Sequence, residues 1–224
     1  IPFYKYNANM DVISTSKDFS KYKVLLVPAM QIIDKELGKR FKEFVETGGT
    51  IIFSFRTGIK DRNNNINFRE VFPCEVREIA GITIKEAEAL QEGQETPIIG
   101  VGRFQNKVGE CSVWRDLITT VDGNILYRYN DKFYKQNPCI TKNNFGKGRV
   151  YYIGGGVDLD VLKDIAKEVL DINDIKYIES KDGLEVHTRT LDNKDWLFIN
   201  NHTEDKIKFR SFTVQPFESK ILRA

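Results

Sequence analysis

The sequence predicts an α/β domain, built on a mostly parallel sheet with flanking helices, followed by a small antiparallel all-β domain. Three observations carry this expectation. Val24-Leu25-Leu26-Val27 and Thr50-Ile51-Ile52-Phe53-Ser54-Phe55 are continuous apolar runs of the kind buried on both faces of a parallel sheet. Between them, apolar residues recur at helical spacing. Beyond about residue 177 the period shortens to two.

The elements follow in order. Asp34 offers an N-cap, Leu37, Phe41, Phe44 and Val45 share one helical face, and Gly48-Gly49 ends the helix. Strand, helix and strand with short connections make a right-handed βαβ unit. Met10-Asp11-Val12-Ile13-Ser14 reads as a preceding strand of the same sheet. Residues 60 to 75 are polar and Asn-rich, a long loop. Short β pieces follow, among them Gly81-Ile82-Thr83-Ile84 and Ile125-Leu126-Tyr127-Arg128-Tyr129, with Asp122-Gly123-Asn124 as a turn and Trp114 to Leu117 between pieces. Pro138-Cys139-Ile140-Thr141 and Val150-Tyr151-Tyr152-Ile153 flank a Gly-containing turn and read as a hairpin. Asp158 can cap a second helix, whose face is Leu159, Leu162, Ile165, Ala166, Val169 and Leu170. The periodicity divides the chain into residues 1–177 and 178–224. A piece as small as the second holds only a marginal core and should lean on other chain.

Bulk properties narrow the partners. The 224 residues carry 34 Lys and Arg against 32 Asp and Glu, a net charge of +2. So near a balance argues against nucleic acid or an anionic membrane as the main partner. There is no run of about eighteen apolar residues to span a bilayer. The start, Ile1-Pro2-Phe3-Tyr4, is not a signal peptide and lacks Met, which points to a longer polypeptide or a trimmed tag. Three cysteines without a CxxC pair fit a reducing, cytoplasmic setting rather than a disulfide framework or zinc site.

No segment assembles a complete catalytic site. Gly154-Gly155-Gly156 stands between strand and helix, but the third glycine of the dinucleotide pattern is replaced by Leu159, and Asp158 would compete with an anion. Gly146-Lys147-Gly148 is followed by neither Ser, Thr nor helix, so it is not a phosphate loop. None of Cys74, Cys111 and Cys139 occupies a strand-to-helix elbow, and buried thiols are the simpler reading. His187 and His202 have no second ligand at metal spacing and read as structural. Acid pairs such as Glu110 with Asp116 could do glycosidase work only at a separation that sequence does not set. No catalytic residue, cofactor site or metal site is therefore assigned.

Four segments, in this order, resemble the C-terminal half of the family-42 glycoside hydrolases, the β-galactosidases. They are Tyr22 to Met30 with Phe44-Val45-Glu46-Thr47-Gly48-Gly49-Thr50; Thr57-Gly58-Ile59-Lys60-Asp61-Arg62; Asp131-Lys132-Phe133-Tyr134 with Pro138 and Thr141 to Tyr152; and Leu197 to Thr203. The resemblance covers nearly the whole chain. It implies a class I glutamine-amidotransferase-like (flavodoxin-like) domain that mediates trimer formation, then a small β domain. Both catalytic glutamates of the family would lie on an upstream (β/α)8 barrel. It further implies a parent enzyme that removes terminal non-reducing β-D-galactose with retention, a homotrimeric cytoplasmic assembly, and a candidate interface loop at Thr57, Gly58, Asp61 and Arg62. After Asp61 the Asn63 to Phe68 stretch departs from the family's Gly- and Pro-rich pattern. Two other classes compete: a free-standing sugar- or ligand-binding protein on an amidotransferase-like fold, and a divergent small hydrolase.

Overall fold

The computed structural model describes residues 2–67, 70–120 and 124–223. The elements are α1 (Pro2–Lys5), β1 (Val24–Val27), α2 (Lys35–Glu46), β2 (Thr50–Ser54), α3 (Arg77–Ala80), β3 (Ile82–Ala89), β4 (Thr96–Gly100), β5 (Val108–Thr120), β6 (Asn124–Tyr129), β7 (Pro138–Phe145), β8 (Gly148–Ile153), β9 (Gly155–Val157), α4 (Leu159–Ile172), β10 (Leu184–Leu191), β11 (Lys194–Asn201), β12 (Ile207–Phe209), β13 (Phe212–Val214) and β14 (Ser219–Arg223). Contacts divide the chain into two compact units: Thr15–Leu162, and Ile1–Ser14 with Lys163–Ala224. The division expected at residue 177 follows element type, whereas the contacts follow packing.

In the first unit nine strands form one sheet in the order β1-β2-β8-β7-β6-β4-β5-β3, with β9 on β5. Among the described strands, β1 with β2 and β2 with β8 pair in parallel. The remaining pairs are antiparallel, which corrects the expectation of a mostly parallel sheet. The reason lies in the connections. Parallel neighbours need a crossover of about a dozen residues or more. The helix α2 supplies one, but among the described residues from β3 to β8 the helical structure is a three-residue 3₁₀ turn, Gly102–Phe104.

The elements of the βαβ unit form for the reasons read from sequence. Asp34 accepts from the Leu37 amide at 2.9 Å and caps α2, which buries Phe41, Phe44 and Val45. These pack with Ile51, Phe53, Ile79, Ile82, Ile118, Val150 and Tyr152 into one apolar core. The expected hairpin is β7 with β8, closed at Gly146-Lys147. Trp114 to Leu117 do not separate short pieces but lie within the 13-residue strand β5; its charged residues disguise the run. Met10 to Ser14 belong to no strand, and Val12 is fully exposed; two alternating apolar residues are too short a signal to secure pairing. Of the expected turn at Asp122-Gly123-Asn124, the first two residues lie outside the described residues.

The glycine triplet is not a simple turn. Gly155 and Gly156 enter β9 and pair with β5. A Cβ on Gly155 would sit 2.3 Å from Cys111 Sγ and 2.5 Å from the Trp114 carbonyl oxygen. Close backbone approach is what glycine permits here. Asp158 then caps α4 through the Val161 amide at 3.0 Å, and its other oxygen accepts from the Glu110 amide at 2.7 Å.

In the second unit β10, β11 and β14 form a three-stranded antiparallel sheet, and β12 pairs with β13. Leu184, Val186, Leu197, Ile199, Ile207, Phe209 and Val214 make its core. The N-terminal segment ties in through buried Asn7. Its amide donates to Ile178 O at 2.7 Å and Ser180 Oγ at 2.8 Å, and its oxygen accepts from the Val186 amide at 2.7 Å. Asn201 does the same for the loops, donating to Asp205 O and Gln215 O and accepting from Thr203. The small core thus recruits chain 170 residues away, as a domain of its size requires. Asn7→Ala is expected to cost about 2 kcal/mol, since it strands buried partners, with loss of amide-exchange protection concentrated at Val186; an unchanged urea midpoint would contradict this.

Candidate functional site

The loop Thr57 to Arg62 leaves the carboxyl end of β2, beside that of β1, where sheets with parallel strands present their loops. Thr57 is buried and its hydroxyl donates to Ser54 O at 2.6 Å, closing the turn out of the strand. Gly58 has φ +63°, and a Cβ there would meet Cys74 O at 2.9 Å. Its amide donates to Met30 O and its carbonyl accepts from the Cys74 amide, both at 2.9 Å. Ile32, Lys60 and Ile66 continue the contact as isolated bridges.

The two charged residues of the loop act locally. Asp61 accepts from the Asn63 and Asn65 amides at 2.9 Å each, which hold its carboxyl below the usual range, Asn65 most strongly. Arg62 donates to Asp34 Oδ2 through Nε at 3.0 Å and Nη2 at 2.8 Å. The Leu37 amide and then Arg62 lower the Asp34 carboxyl in turn. The Asn-rich stretch is therefore an ordered turn around Asp61. Beside it Ile32 and Ile66 are 40% and 43% exposed, an apolar rim that the polar composition of the loop concealed.

A second cluster escaped sequence reading. Asp116 is buried, with its oxygens receiving Trp114 Nε1 at 2.7 Å and the Tyr152 hydroxyl at 2.8 Å. Burial pushes its carboxyl up to about 6, against these hydrogen bonds. The Arg56 guanidinium lies over the Trp114 ring at 4.8 Å. Next along β5, buried Arg115 donates to Glu88 at 2.8 Å, Asp131 at 2.8 Å and Thr96 Oγ1 at 2.9 Å, with its guanidinium 4.2 Å from the Tyr134 ring. No local motif marks these residues, because their partners arrive from five other strands and loops.

The two candidate acids sit in different surroundings. Glu110 and Asp116 lie on one strand, which bulges between them where Ser112 and Arg115 pair with adjacent Gly156 and Gly155. Asp116 is held by Trp114 and Tyr152, whereas Glu110 faces Glu95, whose hydrogen bond and charge raise its carboxyl. The three cysteines are buried. Burial lifts Cys74 to about 11 and raises Cys139 as well, while a hydrogen bond from Cys139 lowers Cys111. Both histidines, read separately from sequence, meet on Glu185: His202 Nε2 at 2.8 Å from one oxygen and His187 Nε2 against the other. Among the described residues no three His, Cys, Asp or Glu side chains gather as a metal-holding group.

Comparisons with known proteins agree with the order of these units. The family described as "Beta-galactosidase trimerisation domain" matches residues 2–176, and "Beta-galactosidase C-terminal domain" matches residues 183–224. The β-galactosidase BgaA of Clostridium cellulovorans is 28% identical over 95% of this chain and 34% of its own length. The BgaA of Planococcus sp. (strain 'SOS Orange') is 30% identical over 91% of this chain and 30% of its own. A solved β-galactosidase from Bacillus circulans sp. alkalophilus superposes with a TM-score of 0.93 at 28% identity, over 99% of this chain and 36% of that one. A catalytic mutant of Gan42B, a GH42 β-galactosidase from G. stearothermophilus, gives 0.88 at 26% identity, over 99% and 34%. The chain thus spans about a third of the length of these relatives. Its mixed sheet and small antiparallel β domain recur in the solved structures, and the chain belongs to the family 42 β-galactosidases, carrying their trimerisation and C-terminal domains.

Proposed function

We propose that this chain works as the non-catalytic assembly region of a cytoplasmic β-galactosidase that removes terminal β-D-galactose. The observation that carries the reading is the pair of family matches in sequence order, over a third of each relative. A catalytic (β/α)8 barrel on the same polypeptide supplies the glutamates, and three copies close a ring with heterologous contacts. The βαβ unit of β1, α2 and β2, with β8 parallel beside it, supports an amidotransferase-like ancestry for the first domain. The loop Thr57 to Arg62 is the assembly contact. It is ordered by Gly58, Asp61 and the Arg62–Asp34 pair, and it is bordered by exposed Ile32 and Ile66.

Sedimentation across a concentration series tests this directly. The 224-residue chain is expected to self-associate towards a trimer, and Ile32→Glu with Ile66→Glu to weaken association about tenfold or more, since charges on an apolar contact carry a desolvation cost. A monomer at all concentrations would remove the loop as a sufficient contact. The same preparations are expected to leave a chromogenic β-galactoside intact; turnover that disappears on changing an acid of this chain would overturn the non-catalytic reading.

A further inference from the structure

The strands β10, β11 and β14 alternate cleanly. Leu184, Val186, Leu197 and Ile199 turn inward to the small core. The alternate residues turn outward, and the strand register aligns them in rows. Arg189, Trp196 and Arg223 stand side by side; His187, Phe198 and Ile221 form the next row; Glu185, Asn200 and Ser219 the third. Phe198 is 37% and Ile221 60% exposed. The face therefore carries half-buried Trp196 and exposed Phe198 on one strand, about 6.7 Å apart, with cationic donors on both sides of the tryptophan.

The size of this face decides what it fits. Two strands of eight residues and one of five, about 4.8 Å apart, span roughly 350 Å². A stable protein contact takes about 800 Å² from each partner, so a flat patch of this extent suits a small linear ligand. Its chemistry suits a saccharide. An aromatic ring offers an electron-rich apolar face, and one face of a galactopyranose presents a patch of C–H groups that packs on such a ring. Hydroxyls at the sugar's edge need planar donors and mixed donor–acceptor groups beside the ring. Arg189 and Arg223 flank Trp196, and Asn200 lies further along, next to Glu185, whose oxygens are taken by His187 and His202. Arg189 is steadied at the sheet surface by Asn9 Oδ1 at 3.1 Å and Thr188 O at 3.4 Å.

We propose that the outer face of β10, β11 and β14 binds β-galactosides, with the terminal galactose on Trp196 and the next sugar towards Phe198. The choice of galactose rests on the proposed function; the saccharide chemistry rests on the face itself. Such a surface would hold linear galactosides near the enzyme without acting on them, and its flatness sets a dissociation constant of about 1–10 mM.

The chain has two tryptophans, Trp114 and Trp196, so a ¹⁵N-labelled sample gives two indole signals. Titration with β-1,4-galactobiose is expected to shift the Trp196 signal and the β11 amides saturably, and to leave Trp114 in place. Trp196→Ala should weaken binding about tenfold or more. Arg223→Ala, an exposed change that spares the core, should weaken it about threefold or more. Cellobiose, whose terminal 4-hydroxyl is equatorial, should bind several-fold more weakly. Absence of a saturable shift at about 50 mM, or undiminished binding by both variants, would overturn the proposal. Equal binding of cellobiose would overturn its assignment to galactosides. No hydrolysis enters the readout, so its failure would leave the proposed function standing.

Discussion

Arg115→Leu is expected to be among the most damaging single substitutions in the first unit, lowering the free energy of unfolding by about 3 kcal/mol or more. The guanidinium is buried and joins three elements: Glu88 on β3, Thr96 on β4 and Asp131 in the loop after β6. Glu88 is exposed enough to rehydrate, and its share is small. Asp131 is less so, and it also accepts the Phe133 and Tyr134 amides that shape its loop. Removing the cation leaves that carboxylate without its ion-pair partner. Arg115→Lys keeps the charge but cannot reach three acceptors at once, so it should fall between Leu and the native residue. Urea unfolding of the three proteins is the measurement, and a loss below about 1 kcal/mol for Leu would show that the cluster is not a structural node.

Asp116→Asn is expected to change the pH dependence of stability more than the stability itself. The folded carboxyl titrates at about 6, against an ordinary value of 3.8. Because the folded value is raised, the protonated form favours folding. Its contribution is complete below pH 3.8 and is lost as pH rises through about 6. A shift of about two units corresponds to about 3 kcal/mol. The native chain should therefore lose about that much from this group on going from about pH 4 to 7. Asparagine cannot ionise, and the Tyr152 hydroxyl can turn to accept from it. The variant should lack that slope and gain on the native protein as pH rises. Parallel stability curves for the two proteins over this range would contradict the assignment.

The parts of the fold that sequence disclosed were those decided locally. Asp34 and Asp158 cap the helices they precede, and the β7–β8 hairpin closes at its glycine-bearing turn, because a cap or a turn is set by neighbours within a few residues. Strand direction beyond β2 was not local. It depends on which strands β5 meets, and β5 touches β3, β4 and β9. Arg115 and Asp116 read from sequence as residues between short β pieces, yet both are buried within β5, since their partners come from distant chain. The same applies to the histidines, seventeen and two residues from the Glu185 they share. The candidate loop was visible through its residue pattern, but the exposed Ile32 and Ile66 beside it emerge only when β1 and β2 lie together.

The pairing of β2 with β8 has a consequence for synthesis. Ile51 meets Val150 across about a hundred residues of intervening chain. At ribosomal rates of about 5–20 residues per second, β1, α2 and β2 emerge roughly 5–20 s before the strand that completes their sheet. During that interval one side of Thr50–Ser54, wholly apolar through Ile51, Ile52 and Phe53, has no neighbour. Such non-local closure is slow and leaves nascent chains open to association. Yield on expression should therefore respond to growth temperature and chaperone supply more steeply than the stability of the finished protein would suggest.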